Sequence, residues 1–212
     1  MKSIHLMNLS APARGMLLAA LSILTGLLAG AIGYLIGQVF YVLFLYPFIL
    51  LVIGAILFYP SLRFFATSRS LFNAFCGLLL GLMILLDFHS IEYALFRQKN
   101  IDTFEISRGM NHSAAAQAVD AFLQQETGLS GLGGFVKYQD SQMNPYVYYA
   151  LRSGRVAHTL KIYLHGRTGW AYLAGEAAVL LGGGALVGFL YRRFAPAPMR
   201  MSSGPWKHGG TA

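Results

Sequence analysis

The sequence predicts a helical membrane protein: four transmembrane helices, with a small α+β extramembrane domain inserted between helices 3 and 4. Three observations carry this. Of 212 residues, 56% are hydrophobic and only 11% charged, against about 25% charged in soluble domains. The apolar residues are also clumped, and residues 15–59 contain no Asp, Glu, Lys or Arg. The stretch 97–168, by contrast, reads as a small domain whose roughly 70 residues make a marginal core, one expected to lean on the membrane, the helix ends or a partner.

The first apolar run must be a hairpin. As one helix its 45 residues would extend roughly 65 Å, about twice the hydrocarbon thickness of a bilayer. The break falls near "GQVFYVLFLYPF", where Gln38 is the first polar side chain and Phe40, Tyr41, Phe44, Tyr46 and Phe48 form an interfacial aromatic cluster. Pro47 suits a helix start. The hairpin 15–59 thus divides into spans at 15–38 and 42–59, the second ending at Pro60. Helix 3 covers 71–93 and helix 4 covers 169–191. "LLAGA" loosely resembles a signal-peptide cleavage site, but the apolar run outlasts a signal h-region and reads as a retained span. The lone cysteine, Cys76, excludes an intrachain disulfide and a thiolate metal centre.

Charge predicts the orientation. Lys2 and Arg14 lie in the N-tail 1–14, Arg63 and Arg69 in the link 60–70, and Arg192, Arg193, Arg200 and Lys207 in the tail 192–212. None of these segments has an acid. Four spans put all three on one side, and the positive-inside rule makes that side cytoplasmic. The +8 formal charge therefore reflects cytoplasmic loops. No nucleic-acid motif accompanies it, so no nucleic-acid partner is expected.

Small residues mark the packing faces. Gly15, Ala19, Ser22, Gly26, Gly30, Gly33 and Gly37 follow steps of 4, 3, 4, 4, 3 and 4 along helix 1. Lipid offers no hydrophobic drive between helices, so close backbone approach has to hold them together. Helix 4 carries Ala171, Gly175, Ala178, Gly182 and Ala185, and helix 3 carries Ala74, Gly77 and Gly81. Gly26, Gly30, Gly33, Gly37, Gly77, Gly81, Gly175 and Gly182 are the expected helix-packing glycines, in a glycine-zipper arrangement.

Residues 94–168 form the predicted outer, periplasmic domain. "NHSAAAQAVDAFLQQETG" reads as a helix capped by Asn111 or Ser113 and stopped by Gly128. "GFVKYQ", "YVYYAL" and "VAHTLKIYL" have strand composition, the last two joined by a turn at "RSGR". "SGLGG" reads as a hinge. His158, on the third strand, reads as a packed histidine, and Tyr146, Tyr148 and Tyr149 suit a contact surface. After Arg193 the Pro/Gly/Ser-rich tail reads as disordered.

An intramembrane polar cluster is the candidate site: Asp87, His89 and Glu92 on helix 3 and Glu176 on helix 4, with His165 and Arg167 at the outer interface. Asp87 and Glu176 enter the membrane from the same side, each about 10 Å deep. On one helix His89 and Glu92 lie about 60° apart and share a face, whereas Asp87 points about 160° from His89. The three cannot converge on one ion. No metal, nucleophile or phosphate motif occurs, so no catalytic, metal or cofactor-binding residue is assigned.

The hairpin ending "YPF", the "GFVKY" stretch and "GRTGW" before Glu176 resemble uncharacterised four-span bacterial inner-membrane proteins. That resemblance implies a bacterial inner membrane and supplies no substrate or reaction. The expected partners are the lipid bilayer and either another protein or further copies of the chain. Two functions follow as expectations. One is a non-enzymatic accessory, assembly or scaffold protein acting through helix packing and an outer interaction domain. The alternative is a small oligomeric transporter coupled to protons or cations through Asp87 and Glu176.

Overall fold

The computed structural model describes residues 10–38, 40–41, 45–142, 148–149 and 167–194. Helix α1 spans Ala11–Gly37, α2 Tyr46–Phe65, α3 Ser70–Arg108, α4 His112–Thr127 and α5 Gly131–Gln142. The last apolar segment is α6, Arg167–Ala177, a π-helical turn at Ala178–Gly182, and α7, Gly183–Phe194. Four of these helical segments are long and apolar enough to cross a bilayer: Ala11–Gly37, Tyr46–Phe65, Ser70–Arg108 and Ala171–Tyr191. The chain is a multi-pass membrane protein.

Helix α1 is inside-out relative to a soluble helix. Gly15, Ser22, Gly26, Gly30 and Gly33 are buried, while Met16, Leu24, Leu28 and Leu35 face outward. Lipid solvates the large side chains, so burial selects for fit and not for hydrophobicity. Gly26 and Gly30 lie on α3, where a Cβ would come within 2.8 Å of the Leu80 carbonyl oxygen and 2.9 Å of the Asp87 Cβ, respectively. Gly33 and Gly37 lie on α2, against Leu50 and Tyr46. The Tyr46 hydroxyl donates to the Gly33 carbonyl, tying the hairpin where the two helices approach. Leu50, Phe58, Leu80, Ile84 and Leu180 fill the centre.

Two spans run past their predicted ends. α2 continues through Pro60 to Phe65. A proline removes one N–H from the helical ladder, but membrane helices accommodate that loss, and here Pro60 is exposed on the bundle surface. α3 is 39 residues long, about 58 Å at 1.5 Å per residue. It therefore leaves the membrane region as a continuous stalk over 94–108 and stops at Gly109, whose φ of 62° is left-handed.

The inserted region departs from the α+β expectation. "GFVKYQ" lies in α5 and is helical, not a strand. Its Phe135 packs on Tyr93 and Phe96, and Tyr138 packs on Phe96 and Phe122. These aromatic residues have strand propensity, but the face they find on the stalk overrides it. "SGLGG" is the start of α5 and not a hinge; Gly134 lies so close to the Leu129 carbonyl that a Cβ there would overlap it. α4 begins at Asn111, whose side chain accepts from the Ala114 N–H at 2.8 Å, and ends at left-handed Gly128. Ala115 and Val119 bury against Ile101 of the stalk.

Among the described residues the strands are two residues each. Phe40–Tyr41, β1, pairs antiparallel with Tyr148–Tyr149, β2. The second half of the expected hairpin, including His158, lies outside the described residues, as does the tail beyond Phe194. The pair joins the α1–α2 turn to the inserted region, which puts both on one side of the bundle.

The packing face of the last span also differs. Gly175 and Gly182 are exposed, and a Cβ at either would meet open space. The buried face is instead Glu176, Leu180, Gly184 and Gly188, a strict repeat of four. An α-helix has 3.6 residues per turn, so a four-residue repeat drifts around it. The π-helical turn takes an extra residue per turn and reduces that drift. Gly81, Gly77 and Asn73 of α3 then meet Leu180, Gly184 and Gly188 in antiparallel order.

Candidate functional site

α3 supplies two of the three residues of the polar cluster. His89 and Glu92 are one turn apart, and their side chains meet at 3.2 Å, Nδ1 to Oε2. The other ring nitrogen, Nε2, lies 3.3 Å from Glu176 Oε2 on α6. His89 is 6% exposed and Glu176 is 4% exposed. The result is a chain, Glu92–His89–Glu176, with His89 and Glu176 buried and Glu92 partly exposed, that links the third and fourth spans.

The donor inventory constrains its protonation. A neutral imidazole has one N–H and can donate to only one carboxylate. Satisfying both contacts needs either the imidazolium or one protonated carboxyl group. Phe88 stacks edge-on against the ring at 5.5 Å between centroids, and Tyr46 and Tyr34 pack on Phe88 in turn.

Asp87 belongs to a different face. Its side chain lies over Gly30 of α1. Its Oδ2 is buried and has no hydrogen-bond partner among the described residues. The 160° offset in the sequence reading places it there. Glu176 and Asp87 come from the same side of the bundle but do not converge.

The two predicted outer partners contribute nothing that can be placed at the cluster. Arg167 is the first residue of α6, and His165 lies outside the described residues. The residue that meets Glu176 is His89, which sequence reasoning grouped with it but did not pair to it. The signal available was the shared depth of residues 89 and 176, which says nothing about rotation around the helix. Arg97 and Asp120, 3.4 Å apart, add an ion pair between stalk and α4.

Among the described residues no group of three or more His, Cys, Asp or Glu is arranged to hold a metal ion. The two ring nitrogens of His89 point to opposite carboxylates, so the cluster is a line and has no common centre. Compared with family models, curated proteins and solved structures, the chain matches none. The site is therefore read from its own geometry.

Proposed function

We propose that this chain is a non-enzymatic assembly or scaffold protein of a bacterial inner membrane, with both termini in the cytoplasm and the stalk region outside. The observation that carries the reading is the stalk. α3 leaves the bilayer as an unbroken helix, α4 and α5 pack against it, and Ile106 near its tip is 87% exposed. Leu95 and Leu129 are about half exposed on the same region. A rigid helix carrying apolar side chains into water suits a protein contact. Inside the membrane, the Glu92–His89–Glu176 chain uses its charges on itself, which suits a brace between spans.

Affinity purification in mild detergent tests this. A stoichiometric partner should copurify with the wild type, and Ile106→Lys should release it without changing thermal stability. Asp87 favours a second reading, proton or cation coupling, because its buried Oδ2 lacks a partner among the described residues. That reading gains if the protein purifies alone and drives proton flux in vesicles that Asp87→Asn abolishes.

Orientation has its own test. Cysteines introduced at Ser130 and Ser10 in a Cys76→Ser background should label oppositely with an impermeant thiol reagent on intact cells. Ser130→Cys should react and Ser10→Cys should not. The reverse pattern would invert the topology.

A further inference from the structure

At the other end of the bundle, away from the polar cluster, a cleft of about 980 Å³ opens between the start of α1 and the α2–α3 link. Arg14 and Arg69 line it together with Thr67 and Ser68, and Ala19 and Phe72 form its apolar wall. The link is a built wall. Asn73, fully buried, accepts from the Thr67 N–H at 2.9 Å and donates back to the Thr67 carbonyl at 3.1 Å. Thr67 in turn contacts the Arg69 carbonyl through its hydroxyl. The segment that carries Arg69 is thus pinned to the first turns of α3.

The charge around the cleft is one-sided. Every acid in the chain falls between Asp87 and Glu176, where eight basic residues match the eight acids. The whole net charge of +8 belongs to the segments before and after that stretch, and the cleft is built entirely from the segment before it. Two guanidiniums at a membrane boundary match a phosphodiester anion. The apolar wall below them matches an acyl chain.

We infer that this cleft binds an anionic phospholipid, its phosphate held between Arg14 and Arg69 and one acyl chain lying along Ala19 and Phe72. Basic pockets between membrane helices bind anionic headgroups in this way. A zwitterionic lipid presents the same phosphate but adds a cation that the two arginines repel. Selectivity for the anionic headgroup follows from that.

The full-length protein, purified and exchanged into mixed micelles of phosphatidylglycerol and phosphatidylcholine with identical chains, gives the test. Native mass spectrometry should show phosphatidylglycerol retained in preference to phosphatidylcholine. Arg14→Gln and Arg69→Gln should each lower that retention about five-fold. Arg63→Gln, at the same end but outside the cleft, should leave it unchanged. An Arg14→Lys, Arg69→Lys variant should keep the preference. Equal retention of the two lipids by the wild type would overturn the proposal without reference to any variant. So would an equal loss in Arg63→Gln, which would mean diffuse surface attraction. Inorganic phosphate held by Arg14 and Arg69, with no phosphatidylglycerol retained, would assign the cleft to free phosphate and reject the lipid.

Discussion

Gly77→Leu is expected to unfold the bundle in detergent at a much lower temperature than the wild type. A Cβ at Gly77 would overlap the carbonyl of Gly184, and one at Gly184 would overlap the carbonyl of Gly77. Both obstacles are backbone, so no rotamer change relieves them, and α3 and α7 must separate. Overpacking costs about 1–3 kcal/mol where side chains can shift; here the upper end or more is expected. Two controls bracket the effect. Leu28→Ala removes a half-exposed side chain on the outer face of α1 and should change stability little. Gly175→Ala adds a methyl into open space and should be neutral or stabilise by up to about 1 kcal/mol through helix propensity. Thermal aggregation followed by size-exclusion chromatography reads all three. Equal loss in Gly77→Leu and Leu28→Ala would mean that the small residues of α3 do not set the helix spacing.

His89→Ala is the second large effect. It takes the imidazole away from Glu176, which is almost fully buried. Removing one partner of a buried charge cluster costs about 3–5 kcal/mol, because the remaining charge stays desolvated and unpaired. The loss should appear as a lower melting temperature and faster proteolysis of the stalk region. Replacing the whole cluster, as in His89→Leu, Glu92→Gln, Glu176→Met, should recover most of the stability, since a well-packed apolar set often equals a buried ion pair. A neutral His89→Ala would remove the brace from the account of how the third and fourth spans are joined.

Much of the candidate site was legible in the sequence, but not its pairing. His89 and Glu92 share a face by helical arithmetic, and they meet. Asp87 points away by the same arithmetic, and it does. His165 and Arg167, expected at the outer interface, are within reach of Glu92 or Glu176 on the sequence alone. The partner of Glu176 in the structure is His89, on a helix 87 residues away. Depth in a membrane can be counted along a helix, whereas rotation about the axis depends on which neighbour the helix packs against.

Sequence alone determined the four apolar spans, because lipid imposes a length and a polarity that can be read residue by residue. It also determined where α4 stops, at Gly128, and narrowed its start to Asn111 or Ser113, since caps act on their own turns. Tertiary structure decided the rest. "GFVKYQ" is helical because Phe135 and Tyr138 found an aromatic face on the stalk, a contact that no local preference encodes. The last span offers two stripes of small residues, one through Gly175 and Gly182 and one through Gly184 and Gly188. A helical wheel assumes 3.6 residues per turn throughout and ranks the first above the second. The π-helical turn at Ala178–Gly182 alters the winding, so the choice falls to the second. That turn is settled by the fit of Gly184 and Gly188 against Gly77 and Asn73, a long-range match between two backbones.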